Sequence, residues 1–356
     1  MINLLILANE LNYTDGVTSH LFYLLTGLKK TNKFKIFLMN SGGDSVKRFE
    51  DSGINVSENK SLSHQNRSLK NFARIIPDIF NFSRTNKINV IHSHNHYAAN
   101  IGYRVSGFIN VKTVQTIHGI IPEAGRLSHF KADKYISVSE PIVEYLLKNK
   151  IAAKKNIKLI RHGFPVIENL KSKNLHEIKI LCASRLVYEK GVDTFIRAAE
   201  IVSRKYKDKI TFMVAGTGEY RNELESLSKD LKVEIIFLGK VKNIVNLLID
   251  TNIFIMPTRS KSEGFPVSIV EAGFTKNLIL CSGFDWLDYV FKNGADGLTF
   301  ETDNYTELAT KIIFALENPE AVNQMKENFY NKALKLFNIE NAVKKHLELY
   351  MECVSQ

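Results

Sequence analysis

The chain has 356 residues, of which 48 are Lys or Arg and 37 are Asp or Glu, and 44% of its residues are hydrophobic. One hydrophobic core rarely serves more than about 250–300 residues, so the length predicts two domains. The composition excludes a wholly disordered, a collagen-like and a coiled-coil protein. Three widely spaced cysteines without a Cys-x-x-Cys pair argue against a disulfide framework and against a zinc site.

Predicted strands and helices alternate along the chain. The strands are expected at 2–8, 34–38, 89–92, 112–117, 134–138, 157–160, 178–183, 210–215, 234–238, 252–256 and 278–281. The helices are expected at 18–30, 66–83, 97–107, 193–206, 219–231, 266–275, 305–317 and about 340–354. Most strands are continuous apolar runs, which is typical of parallel strands that are buried on both faces.

This alternation predicts an α/β protein with two doubly wound, Rossmann-like domains. We expect residues 1–165 to form the first domain and 166–338 the second, because a polar stretch follows Phe164-Pro165. The last helix, within 339–356, is expected to cross back to the first domain. Ligands of such domains bind at the carboxyl ends of the strands, so the chemistry is expected on loops that follow strands.

The positive charge is concentrated in the first half of the chain. Residues 1–165 contain 23 basic and 11 acidic side chains, whereas residues 166–356 contain 25 and 26. This asymmetry suggests an anionic partner for the first half, although a basic surface without a partner is equally open. No apolar run reaches about 18 residues and no signal peptide is recognised, so a cytoplasmic location is expected.

The strongest candidate site is the segment from Ser262 to Ala272, after the predicted strand 252–256. Pro266 suits the first turn of a helix, where its missing N–H costs nothing. The N–H groups of Gly264 and Phe265 are then available at a helix N-terminus for an anion or a sugar hydroxyl.

Two carboxylates flank this segment. Glu263 lies in the loop, and Glu271 is expected about two turns into the helix, so that they can accept hydrogen bonds from different hydroxyls of one extended ligand. Two solvated glutamates on a surface helix are the alternative, and the loop context favours the binding site.

A second candidate is the loop that holds Arg185 and Lys190, after the predicted strand 178–183. A guanidinium fork and a lysine point charge together can neutralise a diphosphate. A solvated basic loop is the common alternative.

Four weaker candidates also follow predicted strands. The Gly-x-Gly turn of Gly216 and Gly218 permits close approach of a ligand, as does Gly16 at the start of the first helix. The stretch Gly239-Lys240-Val241 after strand 234–238 is a still weaker candidate. His118 can bind a sugar or a phosphate through a ring nitrogen, but a loop histidine with a protein partner is the more ordinary interpretation.

Two further patterns favour ordinary structural interpretations. The alternating His92, His94 and His96 are expected to direct His94 opposite to the other two, as core and loop histidines rather than metal ligands. The segment 66–84 is a basic amphipathic helix that fits an anionic membrane, although packing on its own sheet is more probable. Pro77 is expected to kink or break this helix.

In their order and spacing, these motifs resemble the retaining glycosyltransferases of family 4, which have the GT-B fold of two Rossmann-like domains facing across a cleft. The resemblance covers nearly the whole chain, and its most specific part is the Glu-x₇-Glu element. It rests on Glu263 to Glu271, Ser184-Arg185-Leu186 with Glu189-Lys190-Gly191, Ala215 to Glu219, and Asp133 to Ser139.

The resemblance implies a retaining, metal-independent transfer of a sugar from a nucleotide sugar to an acceptor hydroxyl, for a surface glycan or a glycolipid. Arg185 and Lys190 would then stabilise the leaving diphosphate, and Glu263, Gly264 and Phe265 would hold the donor sugar. Glu271 would hold the ribose, while Gly16, His118, Gly216, Gly218, Val241 and Pro266 would complete the catalytic and donor-binding site.

Departures from the family pattern leave the donor open. The stretch from Phe284 to Asp288 lacks the glycines of the family's donor loop, and the first loop has Asp15-Gly16 instead of Gly-Gly. UDP is the default nucleotide, without a metal ion or another cofactor. A lipid-linked acceptor and peripheral contact with an anionic membrane are expected for the basic half. A nucleotide-sugar epimerase and a non-catalytic nucleotide-sugar-binding protein remain alternatives, whereas no nucleic-acid-binding signature is present.

Overall fold

The structure is a computed structural model. It describes residues 1–13, 15–119, 131–167, 170, 177–206, 209–260, 266–284 and 287–355, apart from the side chain of His64. These residues form two compact units, and the chain passes from one to the other between Pro165 and Val166. The first unit contains residues 1–165 and also 337–355, and the second contains 166–260 and 266–336.

The first unit is built on a seven-stranded sheet in which every neighbouring pair of strands is parallel. Its order is β3-β2-β1-β4-β5-β6-β7. The strands are β1 (Ile2–Leu7), β2 (Phe34–Asn40), β3 (Asn55–Glu58), β4 (Val90–Ser93), β5 (Lys112–Ile117), β6 (Lys134–Ser137) and β7 (Ile157–Leu159). The helices of residues 1–165 are α1 (Gly16–Lys30), α2 (Val46–Asp51), α3 (Leu69–Thr85), α4 (His96–Ser106) and α5 (Glu140–Lys148).

The central strand β1 explains why this sheet is covered on both faces. Leu4 and Ile6 belong to the core that contains the apolar face of α1, whereas Leu5 and Leu7 belong to the core beneath α3 and α4. Successive side chains of a strand point to opposite faces, so an unbroken apolar run supplies both cores.

The second unit repeats the plan with six parallel strands in the order β10-β9-β8-β11-β12-β13. The strands are β8 (Ile178–Ala183), β9 (Ile210–Ala215), β10 (Ile236–Gly239), β11 (Ile253–Met256), β12 (Leu278–Ser282) and β13 (Leu298–Phe300). The helices are α6 (Val192–Tyr206), α7 (Arg221–Asp230), α8 (Ile244–Ile249), α9 (Val267–Phe274), α10 (Tyr305–Glu317) and α11 (Pro319–Leu336). Both sheets confirm the α/β, doubly wound class.

The last helix, α12 (Ile339–Ser355), packs in the first unit against α1. A Cβ on Gly27 would lie 2.5 Å from Cγ2 of Val343, so a glycine permits this close approach of the two helices. The chain that leads into α12 is held by Phe164, whose N–H donates to the Phe337 carbonyl at 2.7 Å. The buried Tyr350 then carries the apolar face of α12 into the core.

The structure adds elements that the sequence patterns did not predict. The short strands β3 and β13 and the helices α2, α5, α8 and α11 were absent from the prediction. β3 reads Asn-Val-Ser-Glu at the edge of its sheet, where one neighbour suffices and no apolar run is needed. The predicted break at Pro77 does not occur, because α3 continues through this exposed residue while Ile75 and Ile79 are buried on either side. No helix in the described part of the chain is long and apolar enough to cross a bilayer.

Candidate functional site

The loop after β8 places Arg185 and Lys190 at the carboxyl edge of the second sheet. Arg185 is exposed, and Lys190 ends a short 3₁₀ turn that begins at Tyr188. Gly191 follows with φ +63°, and a Cβ there would lie 1.9 Å from the carbonyl oxygen of Pro257. Glycine is therefore required where this turn meets the loop after β11.

The Gly-x-Gly turn after β9 packs directly against the same loop. A Cβ on Gly216, which has φ +140°, would lie 1.8 Å from the Ser184 carbonyl oxygen. A Cβ on Gly218 would lie 2.1 Å from the Leu186 carbonyl oxygen. The Leu186 N–H donates to the Thr217 carbonyl at 2.9 Å, so both glycines are needed for loop–loop contact.

The connection from β10 to α8 begins beside the Gly-x-Gly turn. The Gly216 N–H donates to the Gly239 carbonyl at 2.7 Å, and the half-buried Val241 follows two residues later. The predicted positions 185, 190, 216, 218 and 241 thus lie on three loops that leave neighbouring strands at one edge of the sheet. The structure brings these predicted residues together.

Helix α9 contributes Pro266 and Glu271. Pro266 immediately precedes the first residue of the helix, and its carbonyl accepts from the Ile269 N–H at 3.2 Å. Glu271 is the fifth residue of α9 and is 6% exposed. A fifth residue lies little more than one turn into a helix, so the predicted depth of about two turns is too great. Glu263, Gly264 and Phe265 lie outside the described residues.

Arg259 is a prominent residue of this region that the sequence patterns did not single out. Its side chain, 14% exposed, bonds to the carboxylates of Asp193 and Asp303. Burial alone would lower the pKa of Arg259, but hydrogen bonds and the charges of these two carboxylates raise it well above the ordinary value. The sequence shows that Arg259 is a cation shortly before Glu263. It does not show the two carboxylates that bind Arg259, because they lie 44 and 66 residues away in sequence.

In the first unit, Gly16 and His118 both follow strands of the parallel sheet. Gly16 is the half-buried first residue of α1, and the Asp15 carboxylate caps the helix by accepting from the Val17 N–H at 3.1 Å. His118 uses both ring nitrogens within the protein. Its Nε2 lies 2.9 Å from Nδ1 of His94, and its Nδ1 lies 3.0 Å from Nε2 of His162.

His118 is part of a cluster of six histidines. Five of them are buried: His20 on α1, His92 on β4, His94 after β4, His162 after β7 and His346 on α12. The ring centroids of His20 and His162 are 4.2 Å apart, and those of His92 and His94 are 4.3 Å apart. The ring of His92 is also bonded on both sides, by the Tyr350 hydroxyl at 2.6 Å and the Thr116 hydroxyl at 2.7 Å.

This cluster corrects the predicted alternation of His92, His94 and His96. His92 and His94 lie side by side because β4 ends at Ser93, and the strict alternation of a strand does not extend to His94. His96 begins α4 instead, with its Nδ1 3.5 Å from Nε2 of Gln115. In the described part of the chain, no group of three or more His, Cys, Asp or Glu side chains has an arrangement that could hold a metal ion.

Burial keeps the cluster neutral. Desolvation lowers the pKa of all six histidines, and the neighbouring imidazoles lower that of most of them further. The pKa falls to about 3 for His162 and to about 4 for His346, where the Ala342 carbonyl partly opposes the shift. A neutral imidazole donates from one nitrogen and accepts at the other, so the chain His94–His118–His162 has one direction of donation.

Two family models match consecutive parts of the chain. "Glycosyltransferase Family 4" matches residues 14–166, and "Glycosyl transferases group 1" matches residues 166–332.

Two similar curated proteins are named as transferases that act on undecaprenol-linked sugars. The Campylobacter jejuni N,N'-diacetylbacillosaminyl-diphospho-undecaprenol α-1,3-N-acetylgalactosaminyltransferase is 29% identical over 245 residues, which are 65% of this chain and 63% of that protein. The match therefore spans a little less than two thirds of that relative. An Escherichia coli UDP-Gal:α-D-GlcNAc-diphosphoundecaprenol α-1,3-galactosyltransferase is 23% identical and is covered over 82% of both chains.

Similar solved structures support the fold. A glycosyltransferase from Rickettsia africae has a TM-score of 0.81 at 19% identity, with 100% of this chain and 99% of that chain covered. Anabaena HepE in complex with UDP and glucose has a TM-score of 0.82 at 17% identity, with 99% and 100% covered.

We expect Gly216→Ala to destabilise the second unit more than Gly294→Ala does. Both glycines have positive φ, but a Cβ on Gly294 would meet no atom of the described residues within 4 Å. Gly294→Ala, the control, should therefore lower the free energy of unfolding by about 1–2 kcal/mol, which is the strain of an alanine with positive φ. Gly216→Ala also forces the loop of Ser184 to move. Urea denaturation should show at least about 2 kcal/mol more loss for Gly216→Ala. Equal losses would mean that the turn does not depend on this close approach.

The neutral histidines predict acid sensitivity of the first unit. Histidines in the unfolded chain titrate near pH 6.5, whereas those of the folded cluster titrate lower, so below about pH 6.5 the unfolded chain binds more protons. Stability should fall as the pH drops from 6.5 towards 4, by up to about 1.4 kcal/mol per pH unit for each histidine. Thermal unfolding at pH 7.5 and 5.5 measures this loss.

His20→Leu provides the matched control for this loss. Neither ring nitrogen of His20 has a hydrogen-bond partner among the described residues, so the variant removes a titrating group without removing a hydrogen bond seen in the structure. Its stability should depend less steeply on pH than that of the unmodified chain. If the unmodified chain has the same melting temperature at pH 7.5 and at pH 5.5, the prediction is wrong.

Proposed function

Because the chain belongs to the glycosyl transferases of group 1 and has the GT-B fold, we propose that it transfers a sugar from a UDP-sugar to a hydroxyl group of a lipid-linked glycan or glycolipid acceptor. The observation that carries this proposal is that the loop after β8, which holds Arg185 and Lys190, packs against the glycine turn after β9, which in turn contacts the end of β10. We propose further that the transfer retains the anomeric configuration and needs no metal ion.

The charges of the second unit support a diphosphate as leaving group. Departure of a nucleoside diphosphate builds up negative charge on the phosphate oxygens, and preorganised cations lower the barrier. We assign Arg185 and Lys190 to the diphosphate because both lie in the loop after β8 at the carboxyl edge of the sheet, whereas the guanidinium of Arg259 is bound to two carboxylates. The buried Glu271 is an acceptor-only group that suits the ribose hydroxyls.

The named relatives support the donor and the acceptor class. The E. coli relative uses a UDP-sugar and a diphosphoundecaprenol-linked acceptor by its name, and the acceptor in the name of the Campylobacter relative is a bacillosaminyl sugar linked to diphospho-undecaprenol. A relative from Streptococcus pneumoniae, 23% identical over 76% of this chain, is an α-monoglucosyldiacylglycerol synthase. A lipid-anchored acceptor requires the enzyme to work close to a bilayer surface.

Lys190→Ala tests the donor site. We expect UDP-sugars to raise the melting temperature of the unmodified chain more than GDP-, ADP- or CDP-sugars do, by mass action. Lys190→Ala should reduce kcat for transfer to a diphosphoundecaprenol-linked sugar by about 10²–10³-fold, as for loss of one preorganised group that stabilises developing charge. The exposed Lys229→Ala is the control and should keep full activity.

Two results would argue against this assignment. Full transfer activity of Lys190→Ala would show that Lys190 does not stabilise the leaving diphosphate. Conversion of the UDP-sugar to an isomer without any acceptor would show an epimerase instead of a transferase.

We also propose that the outer side of α3 touches an anionic membrane. The helix buries Ile75 and Ile79 in its own core, as the ordinary interpretation expects, but leaves Lys70, Arg74 and Arg84 exposed. Arg67 differs from these three, because it is half-buried with its guanidinium 5.5 Å from the ring of Tyr97, and burial lowers its pKa. Leu69, 82% exposed, adds an apolar side chain beside these cations.

Neutralisation of Lys70 and Arg74 tests the membrane contact. Each cation near an anionic surface contributes about 1 kcal/mol, so Lys70→Gln with Arg74→Gln should weaken sedimentation with phosphatidylglycerol vesicles by about thirty-fold. Lys154→Gln with Lys155→Gln, in the exposed turn before β7, removes the same charge from the same unit and should have little effect. Equal weakening by both pairs would indicate only a diffuse attraction of the basic unit.

A further inference from the structure

The side chain of Arg259 connects two loops of the candidate donor site. Its two terminal nitrogens donate to the two carboxylate oxygens of Asp193 at 2.9 and 2.8 Å. Nε donates to Asp303 at 2.6 Å, and one terminal nitrogen also donates to the Tyr188 carbonyl at 2.6 Å. The guanidinium carbon lies 4.2 Å from the centre of the Tyr188 ring.

All five N–H groups of this guanidinium have an acceptor within the protein. Two carboxylates and the Tyr188 carbonyl accept from it, and the Thr194 hydroxyl lies 3.5 Å from one terminal nitrogen. The ring of Tyr188 covers it, so it is not a group that binds a phosphate. The paired contact with Asp193 needs a planar fork, which lysine lacks. Lys at this position would keep the charge and lose the geometry.

The backbone strengthens the same connection. The N–H of Arg259 donates to the Glu189 carbonyl at 2.8 Å, and the Thr258 hydroxyl donates to that same carbonyl at 3.3 Å. Pro257 lies against Gly191, where no Cβ fits. Residues 257–259 therefore contact the turn 188–191 through the Arg259 side chain, through two hydrogen bonds to one carbonyl and through Pro257. Lys190 lies in that turn.

We propose that Arg259 is a positioning residue for sugar transfer, which fixes the 3₁₀ turn Tyr188–Lys190 so that Lys190 meets the diphosphate of the donor. The inference rests on the proposed function. A lysine has a flexible four-carbon side chain, and stabilisation of a leaving group requires that the charge is in place before the bond breaks. The turn fixes the backbone from which that side chain extends.

The test is a double-mutant cycle between Arg259 and Lys190. Arg259→Lys should lower both UDP affinity and kcat/KM by about tenfold or more, and Arg204→Lys is the matched control. Arg204 pairs with Glu200 on the exposed face of α6 in the same unit, so its replacement should change neither quantity. The decisive variant adds Arg259→Lys to Lys190→Ala.

The cycle separates positioning from general stability. If Arg259 acts through Lys190, its replacement should have little further effect in the Lys190→Ala background, because the group that it positions is gone. An equal loss in both backgrounds would overturn the proposal. If Arg259→Lys does not fold, Asp303→Asn removes one partner that is 52% exposed, and the same cycle with Lys190→Ala applies.

The measurements also separate this inference from the proposed function. If the chain binds UDP but transfers no sugar, the function is wrong, and the cycle measured on UDP affinity alone still decides the role of Arg259. If the chain binds no nucleoside diphosphate, both proposals are overturned.

Discussion

Parallel pairing of the strands is the constraint on which the rest of this protein depends. Each pair of neighbouring strands in the two described sheets is parallel, so every connection that leaves a strand emerges at the same edge of its sheet. The loops of Arg185, Gly216 and Val241 come together for this reason, although 31 positions separate Arg185 from Gly216 and another 25 separate Gly216 from Val241. The backbone contacts between them are so short that glycine is required at Gly216 and Gly218.

The polar residues near the carboxyl edges of the two sheets differ in charge: those of the first unit are neutral histidines, and those of the second include paired ions. The first unit gathers six uncharged imidazoles from one strand, three loops and two helices, and its excess positive charge lies elsewhere, including the exposed side of α3. The second unit has almost no net charge, but it concentrates charge locally, with Arg259 between Asp193 and Asp303. A proton added to one histidine of the cluster would meet only neutral rings in the imidazoles that contact it. In the second unit, the positive charge of Arg259 is already paired with the carboxylates of Asp193 and Asp303.

The sequence patterns predicted the strands that supply both cores, because a strand buried on both faces must be apolar throughout, as β1 shows. They did not predict β3, which is polar and short, or α11, whose exposed face is long and charged. Arg185 and Lys190 could be chosen from a local motif after a strand. Arg259 could not be distinguished from neighbouring Ser260 and Lys261 as an important residue, because its partners come from α6 and from the loop before α10.

The sequence by itself determined the class of fold, the family resemblance and the positions at which loops follow buried strands, since these depend on local periodicity and on short motifs. Only the tertiary structure decided which histidines share one cluster. His20 and His346 are 326 positions apart, and no local pattern links them. It also decided that Arg67 packs against Tyr97 while Lys70 and Arg74 face solvent. Such contacts depend on how helices and loops from distant parts of the chain meet, and this is set by packing around the whole sheet.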